Sequence, residues 1–505
     1  MKSLFKTVFV IIFFTGLTRI LGFLFRVYLS RTIGAESLGI YQISFSIFMV
    51  LLTLIASGLP LIVSRLTAQY IAQKNKQKEY EAVTCATMIA IVLSIIISLL
   101  VFGLQKPLSH IFADFRCMTI LITLLPALIF SSAYATIRGN LWGRQKYVAT
   151  CSAELFEQVV RIIVCVILLS GIFPNITGEI SASLSLSIAC VFSCIFVLIV
   201  YLKSGGKFKK NKMYKDVLQT STPITCIRLA SSLIQPIISL VIPIRLMVAG
   251  YTQSQAVSLF GVATGMTMPL LFIPMTIIGS LSYALVPDLS SANAKGDTKY
   301  IQQRVESSII FSLFIAFFII PLFCGVGQKI GIFFFDNAEC GILLEKSAWV
   351  IVPLCLTNIS SSILNAVGLE IKSFRNYICG GIFMLVGIWV LPIYIGIDAL
   401  IYSMGICFTC SAILNLRMIR KKVCKDIHIK KYFLSFLIFS IPTLAITSFC
   451  ANLFVNFFTL FFTLALSCTI GAVFFVTLCI IFNIFKIDSI IVWIKANINH
   501  KKAKT

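Results

Sequence analysis

The chain of 505 residues is 59% hydrophobic and only 12% charged, with a mean hydropathy of +1.00. Soluble domains have about 45 to 50% apolar and about 25% charged residues, so this composition excludes an ordinary soluble protein. The net charge of +24 raises the alternative of nucleic-acid binding, which depends on where the cations lie along the chain.

Apolar runs of roughly 20 residues, the length that crosses about 30 Å of hydrocarbon, recur from one end of the chain to the other. We predict about fourteen transmembrane helices, at residues 4–28, 38–63, 82–104, 118–137, 155–173, 180–202, 217–241, 257–283, 307–326, 348–367, 377–395, 399–416, 433–451 and 457–484. The sequence therefore predicts an all-α, multi-pass protein of the cell membrane.

The cations are distributed unequally between the two sides of the membrane. With a cytoplasmic amino terminus and alternating loops, the cytoplasmic segments hold 32 of the 42 lysines and arginines, and the outer segments hold 6. By the positive-inside rule, this distribution predicts that both termini are cytoplasmic. It also favours membrane lipids with anionic head groups, rather than nucleic acid, as partners of the basic surface.

Two basic cytoplasmic stretches follow the sixth and twelfth predicted spans and divide the chain. We predict an amino-terminal six-helix lobe at 1–205, a basic cytoplasmic linker at 206–216 and a second six-helix lobe at 217–420. The final two helices and a basic cytoplasmic tail then occupy 421–505.

A weak internal repeat supports two related lobes. Each first helix of a lobe carries one stripe of small and polar residues, namely Thr15, Gly16, Arg19, Gly22 and Arg26 in the first span, and Thr225, Arg228, Ser231, Ser232 and Gln235 in the seventh. Parallel repeats with an even number of spans predict a pseudo-two-fold axis along the membrane normal and a cleft between the halves. Transporters use this arrangement.

Four cations lie inside predicted spans and are candidate binding residues: Arg19, Arg26, Arg161 and Arg228. An arginine at mid-helix costs about 2.5 to 3.5 kcal/mol, so Arg19 and Arg228 are expected to face protein or water rather than lipid. Neither has an acid one turn away, and a guanidinium fork suits phosphate oxygens. Arg26 shares a face with Arg19, although its guanidinium could instead reach the outer interface.

The fifth span contributes Glu157, Gln158 and Arg161 on one face, and we include them with Gln235 among the candidate substrate-binding residues. Glu157 precedes Arg161 by four residues, which is the favourable orientation for an intrahelical ion pair. A self-satisfied structural pair is therefore the alternative.

Proline and glycine interrupt corresponding helices of the two halves. Gly58 and Pro60 lie near the end of the second span, and Pro269 and Pro274 lie in the eighth. Broken helices bend and expose backbone groups to a cavity, so we predict a gating role for these four residues. Simple kinks are the alternative.

The sequence has no GxxxxGK[ST] phosphate-binding loop, and its three histidines are scattered. We therefore expect no nucleotide or metal cofactor and no catalytic site, which favours a transporter over an enzyme.

Three stretches, Gly34–Gln69, Ile137–Ile162 and Ser258–Asp297, resemble signatures of the polysaccharide exporter branch of the multidrug/oligosaccharidyl-lipid/polysaccharide (MOP) superfamily. Within this branch they are most similar to the stage V sporulation protein B group. The segment TRILGFLFR resembles the SR.LGF.R segment that opens the lipid II flippases, with Thr18 in place of serine and one extra residue before Arg26.

The resemblance implies a V-shaped pair of bundles, like that of multidrug and toxin extrusion (MATE) transporters, that flips undecaprenyl-pyrophosphate-linked sugars by alternating access. The expected substrate is a peptidoglycan precursor for the spore cortex, and a monomer working with cell-wall synthesis enzymes is expected. One rival is a MATE-type exporter of organic cations, which would carry an acid where this chain has Arg19 and Arg228. The other is a membrane glycosyltransferase or polymerase, which would need a larger outer loop.

Overall fold

The computed structural model describes residues 2–172, 174–209, 213–424, 429–482 and 484. Within these ranges every regular element is a helix. Part of the predicted linker, Lys210–Lys212, and most of the predicted basic tail, from residue 485 onward, lie outside the described residues.

The helices of the first part of the chain are α1 Lys2–Ala56, α2 Leu59–Ala72, α3 Lys76–Gly103, α4 Gln105–Ser109, α5 Arg116–Gly143, α6 Tyr147–Leu169, α7 Gly178–Lys203, α8 Tyr214–Ser232, α9 Ile234–Val248 and α10 Gln253–Gly261. Those of the second part are α11 Met268–Leu271, α12 Ile273–Lys295, α13 Thr298–Phe335, α14 Ala338–Ser347, α15 Ile351–Ala366, α16 Glu370–Val390, α17 Pro392–Ile395, α18 Asp398–Lys422, α19 Ile429–Phe454 and α20 Leu460–Ile481. A π-helical turn, Val262–Thr267, precedes α11.

Eleven helical stretches of the described chain are long and apolar enough to cross a membrane, or up to twelve if the pair interrupted at Phe272 is one span. The prediction of an all-α, multi-pass membrane protein is therefore confirmed, whereas the number fourteen is not. One difference is that the stretch Phe13–Ala72 counts once here, although two spans were predicted in it. Another is that α6, with Glu154, Glu157 and Arg161, is not among the eleven.

Gly34 interrupts α1 between the first two predicted spans. Its φ of 79° and ψ of 174° are not helical, and a positive φ is a conformation that glycine adopts without the steric cost of a Cβ. A second interruption follows at Ser57 and Gly58, after which Pro60 occupies the first turn of α2. Proline is tolerated there because the first N–H groups of a helix have no intrahelical acceptor.

The chain divides by its internal contacts into two compact units. The first contains residues 1–265 and 392–397, and the second contains 266–391 and 398–505. Helices α8, α9 and α10 thus group with the first six predicted spans, although we assigned them to the second lobe. The lobe boundaries at 205, 216 and 420 remain a prediction.

Glycines allow close helix crossings in the first unit. An added Cβ at Gly139 would lie 2.5 Å from the carbonyl oxygen of Pro60, and one at Gly143 would lie 2.5 Å from that of Ser64. The GxxxG spacing on α5 therefore lets its backbone approach α2, as small residues do in many membrane helix pairs.

A second glycine crossing joins α1 to α10. A Cβ at Gly39 would overlap the carbonyl oxygen of Val257, and a Cβ at Gly261 would overlap that of Ala35. Backbone therefore lies directly against backbone where these two helices cross. We call this the Gly39–Gly261 crossing.

Phenylalanines pack the last two helices of the second unit against α13. Phe314 and Phe318 of α13 contact Phe475 of α20 at ring-centroid distances of 5.9 and 6.0 Å, and Phe314 also lies 6.0 Å from Phe436 of α19. Aromatic pairs at such distances contribute about 0.5 to 1.5 kcal/mol beyond their buried area. The predicted final pair of helices is thus packed on α13.

Candidate functional site

The polar stripe of α1 borders open space. No described atom lies within 4 Å of a Cβ added at Gly16, and at Gly22 the nearest is Nε2 of Gln158, at 3.9 Å. Helix α6 therefore approaches the stripe at Gly22 and leaves the Gly16 end free. Small residues on this face provide room beside the arginines.

Arg19 and Arg26 belong to this stripe, and both are exposed. Neither forms an ion pair with any acid in the described part of the chain. Arg26 lies within electrostatic range of Arg161 and Tyr41, so α1 and α6 place two guanidinium groups near each other. The stripe is consequently a cationic surface.

Helix α6 adds hydrogen-bond donors that lack acceptors. Arg161 and Glu157 pair at 3.2 Å, with side chains that are about one fifth exposed, so the predicted intrahelical pair does form. Even so, Nε of Arg161 and Nε2 of the buried Gln158 have no acceptor among the described residues. Buried polar atoms are usually satisfied, so these two donors are unused hydrogen-bonding capacity beside the stripe.

Arg228 and Gln235 lie in α8 and α9, on either side of the interruption at Leu233. Nη1 of Arg228 donates to the carbonyl oxygen of Ser57 at 3.0 Å, where the chain breaks between α1 and α2. The partner of Arg228 is therefore a backbone carbonyl in the break between α1 and α2. Gln235 is exposed.

The four predicted gating residues all lie at helix interruptions. A Cβ at Gly58 would lie 2.5 Å from Oγ1 of Thr225, so the break after α1 is packed directly against α8. Pro269 and Pro274 occupy the first turns of α11 and α12, on either side of Phe272. Their positions are compatible with bending, and their role in gating remains a prediction.

The structure reveals a polar cluster, defined here as the Glu36 cluster, that sequence reasoning missed. Glu36, two residues after Gly34, accepts hydrogen bonds from the Arg116 guanidinium and the Ser254 hydroxyl. Arg116 also donates to the buried Asp114, with an Nη2 to Oδ2 distance of 2.7 Å. Burial alone would raise the pKa of Asp114, but the bonds from Arg116 hold that pKa below its ordinary value.

A second polar cluster, the Glu79 cluster, lies at the predicted cytoplasmic end. The buried Glu79 accepts from Nε of Arg144 at 2.6 Å and from Nδ2 of Asn140 at 2.9 Å. Arg144 also stacks over Tyr201 and donates to the carbonyl oxygen of Ser204 at 2.7 Å. These contacts join α3, α5, α7 and Ser204, the residue that follows α7.

The described helices form a multi-pass membrane fold, and solved structures share this fold. An inward closed structure of the lipid II flippase MurJ has a TM-score of 0.73 at 14% identity, over 93% of this chain and 98% of that one. An inward-facing multidrug MATE transporter of the MOP superfamily has a TM-score of 0.68 at 16% identity, over 81% and 95%. These likenesses establish the fold.

A family model described as a polysaccharide biosynthesis protein matches residues 4–293. The chain belongs to this family, within the MOP superfamily, as its motifs indicated. Stage V sporulation protein B of Bacillus subtilis (strain 168) is 24% identical over 437 residues, which cover 83% of this chain and 84% of that protein.

Proposed function

We propose that the protein is a flippase that moves undecaprenyl-pyrophosphate-linked sugars across the cell membrane by alternating access. The observation that carries this proposal is the cationic stripe of α1, where Arg19 and Arg26 have no acidic partner among the described residues. The related stage V sporulation protein B and the MurJ fold support a peptidoglycan precursor as substrate, used for the spore cortex.

The proposed binding chemistry follows from the donors of α1 and α6. A pyrophosphate offers several anionic oxygens, and the forks of Arg19 and Arg26 bind two oxygens each. Nε of Arg161 and Nε2 of Gln158 supply further donors, while the polyprenyl tail stays in lipid. Arg228 and Gln235 belong to the corresponding stripe of the second half and complete the proposed binding set.

Charge argues against the two rival functions. An exporter of organic cations needs an unpaired acid near its substrate, whereas Glu157 is already engaged by Arg161. A glycosyltransferase or polymerase needs a catalytic acid or base in a polar outer segment, and the acids of the Glu36 cluster are bound to Arg116. These ion pairs favour a transporter over both rivals.

The proposed cycle bends the chain at Gly58 and Pro60 and at Pro269 and Pro274, with the predicted lobes 1–205 and 217–420 as the moving bodies. We further propose that the protein works as a monomer with cell-wall synthesis enzymes. The Glu36 cluster and the Gly39–Gly261 crossing tie α1 to α10, so both contacts have to open if these helices separate during transport.

Binding selectivity tests the proposed function. In native mass spectrometry, the purified protein is expected to retain lipid II and to lose an uncharged polyprenol. It should bind ethidium, an organic cation, no better than a soluble control protein does. Lipid II should be preferred over polyprenol because its anionic pyrophosphate complements the cationic stripe. Equal retention of lipid II and polyprenol, or selective retention of ethidium, contradicts the proposal.

The orientation of the chain is a separate prediction from the distribution of cations. Both termini and Lys209 are expected to be cytoplasmic, because positively charged loops are retained on that side. In intact cells, a single cysteine at position 209 in a cysteine-free background should resist a membrane-impermeant thiol reagent, and one at Lys106 should react. Labelling of position 209 but not of position 106 would show that the orientation is the reverse of the predicted one.

A further inference from the structure

The second unit contains an apolar groove that the proposed transport site does not use. Helices α18 and α19 enclose a volume of about 500 Å³, whose walls include Ile413, Phe433 and Leu434. A neighbouring hollow of about 480 Å³ continues along α18 past Ile406 to Trp349. The two hollows share Ile413 and Arg417, so together they form one groove along α18.

Three cations border the groove at one end. Arg417 and Arg420 lie in the last two turns of α18, and Lys430 is the second residue of α19. All three are exposed, and none forms an ion pair or hydrogen bond with another described residue. The described lining of the two hollows holds these three cations and no acid.

The length of the groove matches one leaflet of a bilayer. Ile406 and Arg417 are eleven residues apart on α18, which is about 16 Å at 1.5 Å per residue. The hydrocarbon core of a bilayer is about 30 Å thick, so the groove spans about half of it. A chain that fits this length belongs to an ordinary bilayer lipid of the leaflet facing the basic loops, whereas a polyprenyl chain extends well beyond it.

We propose that this groove is a binding site for one anionic glycerophospholipid of the cytoplasmic leaflet. The lipid phosphate contacts Arg417, Arg420 and Lys430, and an acyl chain lies along Ile413 toward Trp349. Cations near a membrane surface attract anionic head groups, and a guanidinium fork binds phosphate oxygens in pairs. Selectivity for an anionic head group comes from the cations, and retention comes from the apolar walls.

The charge of the site can be tested by lipid titration of the purified full-length protein, followed by native mass spectrometry. Phosphatidylglycerol is expected to bind at least about tenfold more tightly than phosphatidylcholine with the same acyl chains. The triple variant Arg417→Ala, Arg420→Ala, Lys430→Ala should lose this preference. The matched control is Lys74→Ala, Lys76→Ala, Lys78→Ala, which removes three exposed cytoplasmic charges away from the groove and should keep it.

The apolar part is tested without changing charge. Ile413→Trp fills the region shared by the two hollows, so it should weaken phosphatidylglycerol binding while leaving lipid II binding unchanged. If the groove triple variant and the control triple variant lose the preference for phosphatidylglycerol equally, the preference comes from general surface charge. That result would contradict the proposed site. Displacement of phosphatidylglycerol by undecaprenyl phosphate at equal concentration would assign the groove to the polyprenyl lipid instead. Each readout is lipid occupancy, so it is independent of whether the protein is a flippase.

Discussion

Arg19→Ala is expected to abolish flipping while the protein still inserts into the membrane at normal abundance. The guanidinium has no ion pair among the described residues to lose, and removal of a cation from mid-helix lowers the cost of insertion. Complementation of a strain that lacks its own flippase measures function, and quantitative blotting of membranes measures abundance. Arg65→Ala, which removes an exposed arginine of α2, is the control and should complement fully.

Two further substitutions of Arg19 distinguish the effect of its charge from the effect of its guanidinium geometry. Arg19→Lys keeps the charge but loses the bidentate fork, so it should retain partial function at best. Arg19→Glu places a carboxylate where the anionic head group is proposed to bind and should be inactive, because like charges repel strongly in a weakly screened cleft. Full complementation by Arg19→Ala at normal abundance would remove Arg19 from the binding site.

Arg144→Ala is expected to destabilise the protein by about 3 to 5 kcal/mol, because it leaves the buried carboxylate of Glu79 without its charged partner. It also removes the ring contact with Tyr201 and the hydrogen bond to the carbonyl oxygen of Ser204. Thermal unfolding in detergent, followed by the loss of monodisperse protein, measures the effect as a lower midpoint.

Two further variants identify the cause. Lys146→Ala removes an exposed cation two residues away and should leave the unfolding midpoint unchanged. Glu79→Gln combined with Arg144→Ala should be less destabilised than Arg144→Ala alone, because the unpaired charge is then absent. A double variant as unstable as the sum of both single variants would show that the pair itself contributes no coupling.

The helical, multi-pass fold could be predicted because both of its signals are local. Apolar runs of span length and the helical spacing of Arg19, Gly22 and Arg26 can be read within one segment. The number of spans was less accessible, because Gly34 interrupts a continuous helix and because α6 carries three charged residues. The interruption at Gly34 leaves no mark in the hydropathy pattern, and in α6 the prediction rested on the apolar run that follows Arg161.

The two polar clusters could not be predicted because their members are distant in sequence. Glu36 meets Arg116 and Ser254 only after three helices have packed, and Glu79 meets Arg144 only after α3 has packed against α5. From sequence alone, Arg116 and Arg144 count only as loop charges that indicate topology. A partial signal was present in the GxxxG spacing of Gly139 and Gly143, which marks α5 as a closely packed helix.

The Gly39–Gly261 crossing has a kinetic consequence. Most helix contacts interlock through side chains, so parting them requires side chains to leave their holes and often to change rotamer. At this crossing carbonyl oxygens lie against glycines, and Cγ1 of Val257 is a side-chain atom near Gly39. Separation of α1 from α10 here therefore parts mainly backbone surfaces and requires fewer rotamer changes than the separation of interlocked side chains.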